Sequence, residues 1–361
     1  MTVPQRVYST AIIGCGRVAQ HFIAMLRDRV AEPRLKVVAA CDLVFSRAEA
    51  FCRDLGGVAY GQIGDMLQKE RPDLVFVLTP SGEHVAHARL ALEEGCHVIS
   101  EKPIGLHPDE VYEVMQLAEA KGRMYGGIFQ NRFNPAIVAL RDAVLAGRFL
   151  CPVTGTIRLR WSRPQEYYQD AWHGTWFQDG GVINQQAIHH VDALQYICGP
   201  IEAVCAAEAN RVNDLEAEDT LVALVRFESG ALGTIEATTA LRPNDKEASL
   251  SVIGSGGIVE VGGIALNEIL QWDFVEKHPQ DANVAAQYSQ KVPNGYGLSH
   301  GAYFRHLVSC LDNGSLQAPV SAKEAVRAVE LVHAIYASVE TGGWVFCKDR
   351  PRSRRLGFST N

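Results

Sequence analysis

The feature that most constrains this chain is a strand, a glycine turn and a helix read in immediate succession near its start. Residues 8–13 form a short apolar, strand-like run, Gly14-Cys15-Gly16-Arg17-Val18-Ala19 follows, and a helical pattern then continues through Phe22, Met25 and Leu26. Gly14 permits a tight turn, Gly16 lets a pyrophosphate approach the backbone, and the small Ala19 allows helix and strand to pack closely. The helix N-terminus would then face the phosphates. A second apolar strand, 35–40, ends at Cys41-Asp42. An acid at that position accepts hydrogen bonds from a ribose diol.

The alternation continues with an apolar run at 74–78, a helix near 83–93, a strand at 97–100, a helix near 108–121 and a strand at 124–129. Strands alternating with helices predict a parallel, doubly wound α/β sheet, with ligands beyond the carboxyl ends of its strands. Two predicted strand tips carry distinctive residues, Thr79-Pro80-Ser81 and Glu101-Lys102-Pro103. Lys102, held between an acid and a proline at a tip, reads as functional. His84, taken alone, reads as a helix-surface histidine.

Beyond residue 130 the pattern changes. Asn134-Pro135 reads as an N-cap followed by proline at the first helical position, opening a helix to Gly147 that bridges two domains. Strands then follow one another at 154–161, 203–209, 220–227, 231–239 and 249–253, with a hairpin across Glu228-Ser229-Gly230. This predicts an α+β domain with an open, mainly antiparallel sheet. The expected division is 1–129 and 130–361.

Within the second half, D-G-G-V-I-N-Q-Q-A-I-H-H-V-D at 179–192 predicts one helix after the paired Gly180 and Gly181. Ala187, Val191, Leu194 and Cys198 would form its core face, and Gln185, His189 and Asp192 a second stripe. Either a general base with two polar neighbours is presented there, or a surface helix carries solvated histidines. Residues 280–300 lack periodicity and read as a loop over a site or an interface. Ser321 and Glu324 form a capping box before an apolar stripe of Val326, Val329, Val332, Ile335 and Val339.

Composition narrows the function classes. At 361 residues the chain exceeds one ordinary hydrophobic core. A net charge of −7 and the lack of a basic run interleaved with aromatics argue against a nucleic-acid surface. The basic tail, 348–355, reads as solvated. No apolar run approaches the roughly 20 residues of a membrane span and residues 1–8 hold no signal-peptide core, so no membrane partner is expected and the cytoplasm is. Nine cysteines without a C-x-x-C pair fit reduced, small core residues, with neither disulfides nor a metal site.

Taken together, G-C-G-R-V-A at 14–19, T-P-S-G-E-H at 79–84, E-K-P at 101–103 and A-I-H-H-V-D at 187–192 resemble the Gfo/Idh/MocA oxidoreductases over nearly the whole chain. The resemblance implies a Rossmann domain binding NAD, an open-sheet domain for substrate and oligomerisation, Lys102 and His189 as catalytic positions, and a homodimer or homotetramer. It makes Gly14, Gly16, Arg17, Val18, Asp42, Thr79, Pro80, His84, Glu101, Lys102 and Gln130 the expected cofactor contacts. The inositol-dehydrogenase branch carries an aspartate four residues before the histidine. Here that residue is Gln185, which speaks against an inositol substrate.

A narrower resemblance lies in Q-N-R-F-N-P at 130–135, R-P-Q-E-Y-Y at 163–168, W-H-G-T-W at 172–176 and D-G-G-V-I-N-Q at 179–185. These are similar to the sugar-nucleotide branch, exemplified by UDP-N-acetylglucosaminuronate 3-dehydrogenases of surface-polysaccharide biosynthesis. His173 stands where that branch commonly has arginine.

Oxidising a secondary alcohol requires a base for the hydroxyl proton and a cation for the developing alkoxide. His189 as base with Lys102 orienting the hydroxyl fits, as does a desolvated Lys102 acting as base itself. The expected substrate contacts are Arg163, Tyr168, Trp172, Trp176, Gln185 and Asp192. An arginine fork suits phosphate and aromatic faces suit a sugar or base, which points to a nucleotide-activated amino sugar or uronic acid. Arg158 and Arg160 share one strand face and read as solvated. Three alternatives accompany this expectation: an NAD-dependent glycosidase of the same family, a dehydrogenase of a free sugar or inositol, and a non-catalytic NAD sensor.

Overall fold

Six strands form one parallel sheet: β1 (Tyr8–Ile13), β2 (Leu35–Cys41), β3 (Val58–Tyr60), β4 (Leu74–Val77), β5 (His97–Ser100) and β6 (Tyr125–Gly127), in the order β3-β2-β1-β4-β5-β6. The computed structural model describes residues 6–27 and 32–359. Ile12, Val75, Phe76 and Ile99 are fully buried, the near-continuous apolar character expected of strands covered on both faces. The strand order reverses beside β1, whose neighbours are β2 and β4. Ligands of doubly wound sheets bind at such a switch point.

This sheet and its helices form one compact unit, which runs to Ile128 and also takes in His300–Val326. The division at 129 and 130 expected from sequence places this segment in the second half, whereas here it packs with the parallel sheet. Its helix, His300–Asp312, places the ring of Phe304 edge-on to Phe22 at 5.4 Å and to Phe76 at 5.5 Å. The Tyr303 hydroxyl donates to the Gly127 carbonyl at 2.9 Å, and Gly126 bridges to Ser321. These contacts span long stretches of chain, which no local pattern announces.

The second unit comprises Phe129–Ser299 and the chain from Arg327 onward. Its sheet contains β7 (Pro152–Arg160), β8 (Ile201–Ala209), β9 (Thr220–Phe227), β10 (Leu232–Thr238), β11 (Glu247–Gly254), β12 (Gly257–Gly262), β13 (Glu268–Phe274) and β14 (Val345–Phe346). The order is β13-β12-β11-β7-β10-β9-β8-β14, antiparallel throughout except where β7 meets β10. β12 and β13 were not foreseen, because glycines at 256, 257, 262 and 263 interrupt the apolar alternation that marks a strand.

Helix Ile188–Cys198 packs on β7 and β11, and Gly155 admits it: a Cβ there would lie 2.6 Å from Cys198 Sγ. The stretch at 179–192 is therefore no surface helix. It is two helices, Val182–Gln185 and Ile188–Cys198, joined at Gln186-Ala187, and Gln185, His190 and Asp192 are as buried as the apolar residues beside them. A turn at that joint removes the single stripe that helical spacing predicted.

Two other local expectations are modified. Asn134 precedes helix Pro135–Leu145, but its side chain makes no cap. Its amide donates to the carbonyls of Ala265 and Leu266 and its oxygen accepts from Ser299, tying down the loop instead. The basic tail is docked rather than solvated: Leu356 is fully buried, Gly357 N–H donates to the Trp176 carbonyl, and Arg355 pairs with Glu208 at 2.6 Å. The capping box of Ser321 and Glu324 forms as expected. Among the described residues all nine cysteines are unbridged, and Cys151 departs from the expected core placement by being exposed.

Candidate active site

In the first unit the glycine turn follows β1 directly. Gly14 has φ +92°, and a Cβ would meet the Leu78 carbonyl at 2.8 Å, so the turn tolerates no side chain there. Gly16 differs: a Cβ would meet nothing within 4 Å, leaving open space against the backbone where helix Arg17–Arg27 begins. Fully buried Ala19 lets that helix lie close to the sheet. An open backbone face at a helix N-terminus suits a pyrophosphate.

Asp42 follows β2. One carboxylate oxygen accepts the Cys15 N–H at 2.8 Å and the other accepts the Val44 N–H at 2.8 Å. The first bond ties the acid to the glycine turn, and the second is the capping role that an aspartate here also fills. Each oxygen keeps a lone pair for a ribose hydroxyl. These residues fit NAD.

The tips of β4 and β5 are joined by His84. Its Nδ1 lies 2.6 Å from the Pro103 carbonyl and its Nε2 lies 2.8 Å from the Thr79 carbonyl. The helix-surface reading of His84 is overturned, since it is 1% exposed at the start of helix His84–Glu93. Burial is the larger influence on its pKa, lowered to about 4, although the two carbonyls favour the imidazolium. Neutral at pH 7, the ring carries a single N–H and donates to only one of the two carbonyls, while it stays wedged between Thr79 and Pro103, the residue after Lys102.

Thr79 Oγ1 also meets His87 Nδ1 at 3.0 Å. Glu101 is buried and accepts the Lys102 N–H at 3.1 Å. Burial raises its carboxyl above the usual range, opposed by the Lys102 charge and amide. Lys102 itself is half-buried. Its backbone is held on both sides while its side chain keeps partial access to water.

In the second unit His189 lies in the first turn of helix Ile188–Cys198, half-buried, with Phe129 edge-on at 5.6 Å. Gln130 follows Phe129 and is 3% exposed, and its Oε1 finds no hydrogen-bond partner among the described residues. A buried amide oxygen of this kind suits a ligand donor. Asp192 is occupied, since Arg132 grips both its oxygens. Gln185 donates to Asp179 at 2.6 Å, and Asp179 accepts the Gly174 N–H at 3.0 Å. His190 is 1% exposed and edge-on to Trp161 at 5.9 Å, and burial lowers its pKa to about 3.

The aromatic segment at 161–176 divides in two. Arg163 lies over the rings of Trp161 and Tyr167, at 4.9 and 5.6 Å, and pairs with Asp245 at 2.9 Å. That carboxylate offsets part of the positive charge expected there. Tyr168 meets the Thr239 hydroxyl at 2.9 Å, and half-buried Trp172 lies 3.6 Å from the His173 ring. Asp170 orients His173 through Nδ1 at 2.5 Å.

Trp176 corrects the sequence reading. It is 4% exposed, edge-on to Tyr336 at 5.0 Å and covered by Arg355 at 4.2 Å, so it is a core residue with no face for a sugar. Arg158 and Arg160 are laced to Glu236, Glu247 and Glu260 across neighbouring strands rather than simply solvated.

Comparisons with known proteins agree with this geometry. Residues 8–129 match the Gfo/Idh/MocA model described as an oxidoreductase family NAD-binding Rossmann fold, and residues 150–346 match that family's C-terminal alpha/beta domain. The D-glucoside 3-dehydrogenase of Escherichia coli is 28% identical, covering 92% of this chain and 95% of its own. A structure of the WlbA dehydrogenase from Chromobacterium violaceum with NADH and UDP-GlcNAcA is 30% identical with a TM-score of 0.88, covering 95% of this chain and 97% of its own. The Bordetella pertussis WlbA dehydrogenase, with the same two ligands, is 31% identical with a TM-score of 0.87 over 95% and 98% of the two chains. With both family models matched over most of its length, and an open glycine turn and a fixed Asp42 suited to NAD, the chain belongs to the Gfo/Idh/MocA family of NAD-binding oxidoreductases.

Proposed function

We propose that this protein is an NAD-dependent dehydrogenase that oxidises a secondary alcohol on the ring of a nucleotide-activated sugar. The observation that carries this reading is the near full-length similarity, at 30% and 31% identity, to two dehydrogenases whose structures hold NADH and UDP-GlcNAcA. Arg163, Tyr168 and Trp172 supply a guanidinium and aromatic faces in one segment, the pairing suited to a nucleotide sugar. NAD, when bound, supplies the acceptor for the hydride. His189 takes the hydroxyl proton, and Lys102 orients the oxygen and stabilises its developing negative charge. His84 and Glu101 fix the Lys102 backbone for that task.

A second reading, oxidation of a free glycoside, is favoured by two observations. The E. coli D-glucoside 3-dehydrogenase matches across 92% of this chain, and Asp245 offsets the charge of Arg163. A thermal-shift panel of UDP-sugars, free sugars, glycosides and inositols with NAD, followed by the NADH absorbance band, separates the two. Nucleotide sugars are expected to stabilise the protein and to yield NADH. Turnover of glycosides alone would replace the substrate assignment, and product release without NADH accumulation would indicate a glycosidase.

A further inference from the structure

Beneath the Gly180–Gly181 turn lies a buried acid that the reaction chemistry does not use. Glu218 is 2% exposed and directly precedes β9 by way of Asp219. Its carboxyl group accepts the Tyr336 hydroxyl at 3.1 Å and the Ile183 N–H at 3.0 Å. Its backbone carbonyl accepts the Val182 N–H at 2.9 Å. Tyr336 in turn accepts the Gly181 N–H at 3.0 Å. Three successive amides of the turn therefore end on two residues.

The packing around this point leaves no slack. A Cβ on Gly181 would lie 2.0 Å from a Glu218 carboxyl oxygen, and one on Gly180 would lie 2.9 Å from Leu356. Trp176 closes the other side of Tyr336 at 5.0 Å. The turn thus rests on the acid, the phenol and the docked tail.

Position is relayed from here to His189 through backbone bonds. The Val182 carbonyl accepts the Gln186 and Ala187 amides, at 3.1 and 2.8 Å, and the Ala187 carbonyl accepts those of His190 and Val191, at 2.8 and 2.9 Å. His189 sits between Ala187 and those amides, in the first turn of its helix. A shift of Val182 would be carried to that helix start. Such displacements matter because catalysis falls steeply when reacting groups are misplaced by about 1 Å.

We infer that Glu218 and Tyr336 are positioning residues, whose pair beneath the Gly180–Gly181 turn sets where His189 stands. The inference rests on the proposed role of His189 as base. Tyr336→Phe removes the acceptor of the Gly181 N–H and keeps the ring, Glu218→Ala removes the acid, and Glu218→Gln keeps an acceptor for Ile183 and Tyr336. In Tyr336→Phe and Glu218→Ala, kcat is expected to fall by roughly tenfold or more with KM for NAD within about twofold, and Glu218→Gln is expected to recover most of it.

Amide hydrogen exchange gives a readout independent of any substrate. Faster exchange is expected at Ile183 and at residues 186–191 in Tyr336→Phe, with β1, β4 and β5 unchanged. Unchanged exchange there would overturn the inference even if the wild type turned over no sugar at all. A wild-type kcat in Tyr336→Phe, or a Glu218→Gln variant no better than Glu218→Ala, would overturn it equally. Altered exchange without any wild-type turnover would uphold the positioning pair and count against the proposed reaction alone.

Discussion

Arg132 and Asp192 meet in a two-point ion pair, at 2.8 and 2.7 Å, with side chains only 9% and 3% exposed. Arg132 also lies over the Tyr196 ring at 4.6 Å. The pair fastens the turn holding Gln130 to the helix holding His189. Removing one member of a buried pair strands the other charge away from water, at a cost of about 3–5 kcal/mol.

Asp192→Ala and Arg132→Ala are therefore each expected to lower stability on that scale, read from urea midpoints at constant m. The double variant is expected to lose less than the sum of the two, because no charge is then left alone. Additive losses would mean that the residues act independently.

Cofactor choice follows from Asp42. Its carboxylate, fixed by the Cys15 and Val44 amides, accepts ribose hydroxyls but repels a 2′-phosphate. NAD is expected to bind roughly tenfold or more tighter than NADP, and Asp42→Ser to narrow the gap chiefly by weakening NAD. Exposed Arg47, five residues on, is the group able to offset this by pairing with that phosphate. Equal dissociation constants in the wild type would leave Asp42 as only a cap.

Binding and chemistry are expected to separate at Lys102 and His189. Lys102→Ala and His189→Ala should keep NAD affinity within a few-fold while turnover falls by on the order of 10²-fold or more, the scale of a lost acid–base group. Titration calorimetry with NAD and initial rates test this. Unimpaired rates in both variants would remove these residues from the mechanism.

What was legible in the sequence is what is local. Gly14, Gly16 and Asp42 are read within one strand-turn-helix-strand unit, and each serves a neighbour close in sequence or in the sheet. The 221–227 and 231–237 hairpin and the capping box of Ser321 were visible for the same reason. Partners far apart in the chain were not: Arg132 finds Asp192 sixty residues away, and Tyr336 finds Glu218 across 118. The adjacent acids Glu218 and Asp219, set against an apolar strand, were a usable signal of buried structure. The docking of the tail is masked in the sequence because its charges outnumber the one buried apolar residue, Leu356, and the core placement of Trp176 because aromatic residues near arginines look alike in core and site.

Acid stability gives the remaining prediction. His300 is 2% exposed, packed against His21 at 5.3 Å and Phe22 at 6.1 Å, and its pKa is lowered to about 3 by burial, with the His21 charge adding to it. His190 and His84 are lowered to about 3 and about 4, again mainly by burial. Each is neutral in the fold and takes up a proton when unfolded below its ordinary value of 6.5. The stability they contribute is present above that pH and is lost as pH falls towards the folded values, by up to about 1.4 kcal/mol per pH unit for each group. Urea midpoints taken from pH 7 down to pH 4.5 are expected to fall, and His300→Leu is expected to flatten the slope by about one group's share. A slope unchanged in His300→Leu would show that the proton uptake driving acid unfolding occurs elsewhere.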